Sequence, residues 1–334
     1  MRVLVTGGAG YIGSVIAARL IAHGDSVVVY DDLSRGHRAA VAPQATFVQG
    51  DVRAADLLRH TLATHQCDAV VHMAALAEVA ESVAHPERYR SVNLDGTRAV
   101  AAAAIAAGVH RIVFSSTAAV YGAPARTPLR ENDATVPTNP YGETKLAAEG
   151  ALREAAAASG GRLSYLALRY FNACGADGSL GEDHHPETHL IPIALRATQA
   201  DEVLSVFGND YPTPDGTCVR DYVHVIDLAE AHIAALSGPP LNTALNLGTG
   251  SGSSVLEVLA TVGAVTGRRV RYAVAARRPG DPPVLVASAE RARDLLGWQP
   301  TRTLTDAVRD AWAWFQAHPN GYADELRITD GVEM

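Results

Sequence analysis

Residues 2–14 read RVLVTGGAGYIGS. The opening RVLVT (2–6) is a short β-branched run that stops at Gly7 and Gly8, which predicts a buried strand. The following YIGSVIAARLIAHG (11–24) carries apolar residues at helical spacing and closes on Gly24. Between them Gly8, Gly10 and Gly13 satisfy G-x-G-x-x-G, and Gly7 adds a second register, G-x-x-G-x-x-G. Glycines between a strand and a helix let the backbone turn tightly and approach a pyrophosphate, whose charge then sits at the helix amino terminus. Asp31 follows Gly13 by 18 residues, at the end of a second strand, SVVVYDD (26–32). A carboxylate there accepts from an adenosine ribose 2′-hydroxyl and repels a 2′-phosphate, which favours NAD over NADP. A glycine turn with a solvated acid is the competing explanation.

Outward from this unit the same rhythm continues. ATFVQGDV (45–52), CDAVVHMAA (67–75), RIVFSST (111–117) and LSYLALRYF (163–171) supply four more apolar runs. Helical patterns fill 53–65, roughly 86–108 and 140–159, the last stopping at Gly160–Gly161. Alternation of this kind predicts a Rossmann-like α/β fold, a doubly wound parallel sheet with helices on both faces. After residue 172 loops rich in Gly, Pro, His and Asp take over. The expected division is a dinucleotide-binding lobe over 1–172 and a smaller mixed α/β substrate lobe over 173–334. Return segments to the first lobe are expected near 221–250. No internal repeat of 20 to 50 residues is visible.

The bulk properties bound the function. At 334 residues the chain exceeds the usual single core. Hydrophobic residues at 48% and charged residues at 19% give a globular composition. A net charge of −8 argues against nucleic acid or an anionic membrane surface as partner. Cys67, Cys174 and Cys218 are odd in number and far apart, which fits free thiols in a reducing cytoplasm. The apolar run in MRVLVTGG is too short for a signal peptide, and no stretch is long enough to span a membrane. A cytoplasmic location is expected.

A second chemical signal lies in FSSTAAVYG and TNPYGETK. Three hydroxyls end the fifth predicted strand, and ligands of doubly wound sheets sit at strand carboxyl ends. Thr117 is therefore expected to face the crevice. Tyr141 and Lys145 share a helical face at i, i+4. A free tyrosine, with a pKa of about 10, is a poor base near neutrality. A lysine cation beside it, together with an oxidised nicotinamide, would favour phenolate. Simple packing of the two stems on a helix face is the alternative. Asp51 and Val52, just after the third strand, could hold an adenine edge, and an N-cap explains Asp51 equally well.

TGGAGYIGS, FSSTAAVYG, YGETK, LRYFNACGA, VFGNDYPTPDGTCVRDYVHVIDLA and RRPGDPP together resemble the UDP-glucose 4-epimerases, members of the extended short-chain dehydrogenase/reductases. The likeness runs from residue 1 to about 320. It implies epimerisation at C4 of a UDP-hexose through a transient 4-keto sugar, with NAD retained between turnovers. Tyr141 would take the 4-hydroxyl proton, Thr117 would hydrogen-bond the 4-oxygen, and Lys145 would also bind the nicotinamide ribose. Cofactor contacts are expected from Gly7, Gly10, Tyr11, Ile12 and Gly13, and from Asp31, Asp32, Asp51 and Val52. For the UDP-sugar the resemblance implies Asn172, Phe207, Arg220, Arg278 and Asp281, with His189, Leu190 and Tyr222 beside them. Guanidinium forks suit a diphosphate and a carboxylate suits a ribose diol. Leu285 stands where relatives set the room for the sugar 2-substituent. A homodimer through first-lobe helices is implied, with 99–107 and 147–158 as candidate faces.

Two positions depart from the family pattern: Ala77 where some relatives carry a lysine beside the pyrophosphate, and His189 where some carry asparagine. His184, His185 and His189 share one loop, but without carboxylate geometry or a cysteine partner no metal is expected, and a substrate loop fits better. A sugar-nucleotide 4,6-dehydratase needs an acid and a base after the threonine. Ala118 and Ala119 occupy those places. A non-catalytic dinucleotide sensor is the remaining alternative, and the intact Thr117, Tyr141 and Lys145 argue against it.

Overall fold

Successive side chains of the first strand, β1 (Arg2–Thr6), point to opposite faces. Val3 and Val5 join one apolar core and Leu4 joins another. A strand buried on both faces belongs inside a helix-covered parallel sheet. The computed structural model describes residues 1–124, 126–278 and 280–322. It contains that sheet, with seven parallel strands.

The sheet uses β1, β2 (Ser26–Asp31), β3 (Thr46–Gln49), β4 (Ala69–His72), β5 (Arg111–Thr117), β6 (Ser164–Tyr170) and the later segment Asn242–Leu247. Across the sheet the order is Asn242–Leu247, β6, β5, β4, β1, β2, β3. Strand order reverses between β1 and β4, so the crevice opens where the glycine loop leaves β1. One face carries α1 (Tyr11–Ala22); the other carries α2 (Ala55–Thr64), with Leu58 and Leu62 in the second core. After α3 (Val79–Ala84) and the single turn α4 (Pro86–Tyr89) come α5 (Gly96–Ala106) and α6 (Pro140–Ala158), also on the second face.

β3 and β4 are shorter than the apolar runs 45–52 and 67–75 suggest. β4 stops at His72, paired with Thr6 and Phe114, because β1 itself ends at Thr6. The expected helix over 86–108 is interrupted by a π-helical stretch at Arg90–Asp95. α3 was not anticipated.

Beyond β6 the chain builds β7 (Asn172–Cys174), α7 (Leu190–Ala200), β8 (Val203–Phe207), β9 (Val219–Arg220) and β10 (Tyr222–His224). It then returns to the large sheet through α8 (Val225–Ser237), packed on α1, and β11 (Asn242–Leu247), paired with β6. β12 (Ser253–Ser254), α9 (Val255–Thr266), β13 (Arg271–Ala275), β14 (Val284–Leu285), α10 (Glu290–Leu296) and α11 (Leu304–Ala317) follow. Ile191, Leu195, Val258, Val262, Val308 and Trp314 form a third core joining α7, α9 and α11. No helix among the described residues is long and apolar enough to cross a membrane.

Candidate active site

A cleft of about 680 Å³ lies over the carboxyl ends of the sheet strands. Its cofactor end is made by the glycine loop. Gly7 has φ +69, and a Cβ there would come within 2.5 Å of the Ala74 amide nitrogen. A Cβ on Gly13 would stand 2.1 Å from the Gly7 carbonyl oxygen, so strand and helix pack as closely as they do only with glycine. Gly10 caps α1 without a side-chain hydrogen bond, and a Cβ on it would meet only the Gly7 oxygen, at 3.4 Å. The first-turn amides of α1 thus open onto a bare cradle, suited to a diphosphate.

Asp31 ends β2 and is buried; its Oδ2 accepts from the Ala9 amide at 3.0 Å and its Oδ1 from the Leu33 amide at 2.9 Å. It locks the glycine loop, and burial raises its pKa against those two hydrogen bonds. A carboxylate has about four acceptor sites, so capacity for a ribose hydroxyl remains. Tyr11, Ile12, Asp32, Asp51 and Val52 also line the cleft. Asp51 does not cap α2, whose N-cap is Ala54. It accepts from the Arg53 amide at 2.8 Å and pairs with the Arg53 guanidinium, because the helix starts four residues farther on.

At the centre, Thr117 ends β5 and Tyr141 begins α6, which is capped by Asn139 and opened by Pro140. Burial raises the Tyr141 pKa, and a hydrogen bond with Thr117 lowers it. Lys145, expected to favour the phenolate, lies one turn farther along the same helix. Lys145 is 2% exposed and donates from Nζ to the Ser115 carbonyl at 2.7 Å. Desolvation lowers its own pKa to about 7, against the pull of Glu149. The lysine is a buried donor between α6 and β5.

Asn172, His189, Arg220, Asp281 and Leu285 also line the cleft. Arg220 donates to the carbonyls of Val219 and Pro282 at 2.9 and 2.8 Å and stands 3.5 Å from Asp281. Leu285 is held in register with Arg220 by β14–β9 pairing and packs with Ala118, Tyr121 and Phe171. Leu190, Phe207, Tyr222 and Arg278 stand outside the cleft lining. Arg278 stacks over the Phe207 ring at 4.0 Å, and Tyr222 packs against the third core.

The reading of the histidine loop also needs correction. Carboxylates do meet it: His189 Nδ1 lies 2.6 Å from Glu182 Oε1 and 3.3 Å from Glu187 Oε1. Glu187 comes from the same loop, and the backbone reversal turns it inward, which spacing alone does not reveal.

Sequence reasoning also passed over Asn93. The π-helical stretch buries its amide, which takes the Leu76 N–H at 2.8 Å and donates to the Leu76 carbonyl at 3.0 Å and to Thr144 Oγ1 at 3.1 Å. Thr144 in turn donates to the Tyr141 carbonyl at 2.9 Å. Asn93 therefore ties the cleft floor to the turn that carries Tyr141. An irregular turn of this kind often marks functional positions, but has no signature in apolar periodicity. Asp221, in VRDY, was likewise passed over. Fully buried, it accepts from Thr249, Gly250 and Ala287 and so joins three segments distant in sequence.

Comparison with known proteins gives consistent matches. A family model described as the NAD dependent epimerase/dehydratase family matches residues 3–248. The chain is 50% identical over 327 residues to a UDP-glucose 4-epimerase of Streptomyces lividans, covering 97% of this chain and 98% of that protein. It is 47% identical over 331 residues to one from Lacticaseibacillus casei, covering 97% and 99%. Among solved structures, UDP-glucose 4-epimerase from Brucella ovis in complex with NAD is similar at a TM-score of 0.90 and 47% identity, covering 94% of this chain and 98% of that one.

Proposed function

The chain belongs to the NAD dependent epimerase/dehydratase family, and from that premise we propose how its residues carry out the reaction. The activity is NAD-dependent epimerisation at C4 of a UDP-hexose, through a transient 4-keto sugar. The observation that carries this reading is the meeting of Tyr141, Thr117 and the glycine loop in one cleft. NAD held by Gly7, Gly10, Gly13 and Asp31 would supply a hydride acceptor and donor for C4, and its positive charge would favour the phenolate form of a neighbouring phenol.

Tyr141 acts as the base on the 4-hydroxyl, with Thr117 holding the same oxygen. Lys145 bridges α6 to Ser115 and presents its remaining protons to the nicotinamide ribose. Gly7, Gly10 and Gly13 admit the pyrophosphate, Asp31 takes the adenosine ribose, and Asp51 with Val52 borders the adenine. Asn172, His189, Arg220 and Asp281 bind the UDP portion. Leu190, Phe207, Tyr222 and Arg278 are assigned to that end on the family resemblance. Ala118 and Ala119 line the cleft beside Thr117 and can move no proton, which disfavours dehydration. The division at residue 172, a cytoplasmic location and a homodimer through α5 and α6 belong to the same proposal.

The test is a coupled assay on UDP-galactose with no cofactor added, followed by the absorbance of enzyme-bound reduced nicotinamide after UMP and a reducing sugar. Turnover with a bound chromophore is expected. A 4-keto-6-deoxy product would replace epimerisation by dehydration.

A further inference from the structure

Between β7 and α7 the loop reverses so that Glu182, His184, Glu187 and His189 turn their side chains toward one point. One donor atom from each lies within 4.8 Å of all the others. His184 Nδ1 is 3.2 Å from Glu182 Oε1 and 3.9 Å from Glu187 Oε1, and His189 Nδ1 is 2.6 and 3.3 Å from the same two oxygens. The carboxylates are buried, with side chains 7% and 5% exposed. Glu187 Oε1 also takes the amides of Thr188 and His189 at 2.8 and 2.9 Å.

Hydrogen bonding leaves this cluster incomplete. Of the four buried side-chain polar atoms among the described residues without a partner in hydrogen-bonding geometry, two are here: Glu187 Oε2, and His184 Nδ1, which faces Glu182 Oε1 at 3.2 Å without that geometry. A buried acceptor without a donor is costly, and two carboxylates side by side make it more so. A cation at their common point would satisfy both.

We propose that Glu182, His184, Glu187 and His189 form a binding site for a divalent metal ion of the zinc class. Two imidazoles and two carboxylates suit zinc better than magnesium or calcium, which prefer oxygen alone. Tetrahedral zinc with bonds near 2.0–2.2 Å sets donors roughly 3.3–3.6 Å apart. The separations above straddle that range, so small side-chain shifts complete the geometry. The site adjoins the cleft through His184, whose ring meets the Tyr11 ring edge-on at 6.4 Å, and through His189, the N-cap of α7. A bound ion would fasten the loop after β7 against the glycine-loop end of the cleft. It takes no part in the C4 chemistry.

The test uses the full chain with its NAD, treated with a chelator and then titrated with zinc chloride by calorimetry. Wild type is expected to bind one equivalent, and Glu187→Gln and His184→Gln each to weaken that binding at least ~10-fold. Cobalt(II) chloride added to wild type should develop the visible bands of a four-coordinate nitrogen–oxygen site. That spectrum decides the matter even if both variants misfold. Zinc binding equal in wild type and folded Glu187→Gln, or cobalt that keeps its octahedral aqueous spectrum, would overturn the site and leave a cluster held by protons.

Discussion

Burial raises the Tyr141 pKa, and the Thr117 hydroxyl beside it pulls the other way. Its proposed work as a base therefore depends on the charge of the bound cofactor. Tyr141→Phe removes the proton acceptor and nothing from the fold, so kcat should fall by at least ~10²-fold with an unchanged melting temperature. Lys145 makes a separate statement through pH. Burial lowers its folded pKa from the ordinary 10.5 to about 7, so the folded state holds fewer protons than the unfolded state between those values. Wild-type stability should thus rise as pH climbs through that window. Lys145→Met removes the titration. Its melting temperature relative to wild type should be most favourable below pH 7 and should decline toward pH 10.5. A difference that stays flat with pH would show that Lys145 is not desolvated in solution. Asp31→Ala removes a ribose acceptor and the repulsion of a 2′-phosphate together. The ratio of NAD to NADP affinities, measured by titration, should move toward unity, and the glycine loop should loosen because the Ala9 and Leu33 amides lose their acceptor.

At the scale of elements, helix α6 carries both Tyr141 and Lys145, and its position on the sheet is held by a buried charge network. Arg169 on β6 grips Glu149 on α6 through two hydrogen bonds of 2.9 and 2.7 Å. Ser116 on β5 donates to the same carboxylate, and Arg169 reaches Tyr121, which donates to Asn246 on β11. Four elements thus meet on one ion pair. Arg169→Met should destabilise the protein by about 3–5 kcal/mol, because it strands a buried carboxylate. Urea unfolding will measure this, and adding Glu149→Leu to the same chain should recover part of the loss.

For the whole molecule, the cleft draws on early and late segments of the chain together. Its cofactor end is the large sheet, and its far wall comes from β9, β14 and the loop after β7. Asp221 binds these later segments together, so the distance from Tyr141 to Leu285 is set by how they pack on the large sheet. Leu285 is smaller than a tyrosine, and an added ring in a packed site costs roughly 1–3 kcal/mol. That is on the order of 10- to 100-fold in kcat/KM. We expect UDP-galactose to be the best substrate and UDP-N-acetylglucosamine to turn over measurably. Leu285→Tyr should remove the second activity and spare the first. No turnover of the N-acetylated sugar by wild type at high enzyme concentration would end this assignment.

The alternation of strands and helices through β6 is legible in local patterns, because strand and helix periodicities arise from near-neighbour sterics. The glycine loop, Asp31 at a strand end, Thr117 at another and the Tyr141–Lys145 spacing are legible for the same reason: each is a short-range pattern at the end of an element. What the chain does not reveal locally is which distant groups share one burial. The π-helical turn that buries Asn93, the Arg169–Glu149 pair and the carboxylates facing His184 and His189 all depend on where crossovers set elements down. So does the charge of Lys145: residues 141 and 145 predict a cation tuning a phenol, whereas packing against Ser115 and Phe114 desolvates the amine and lowers its pKa. Desolvation is a property of the assembled interior, and no spacing along the chain encodes it.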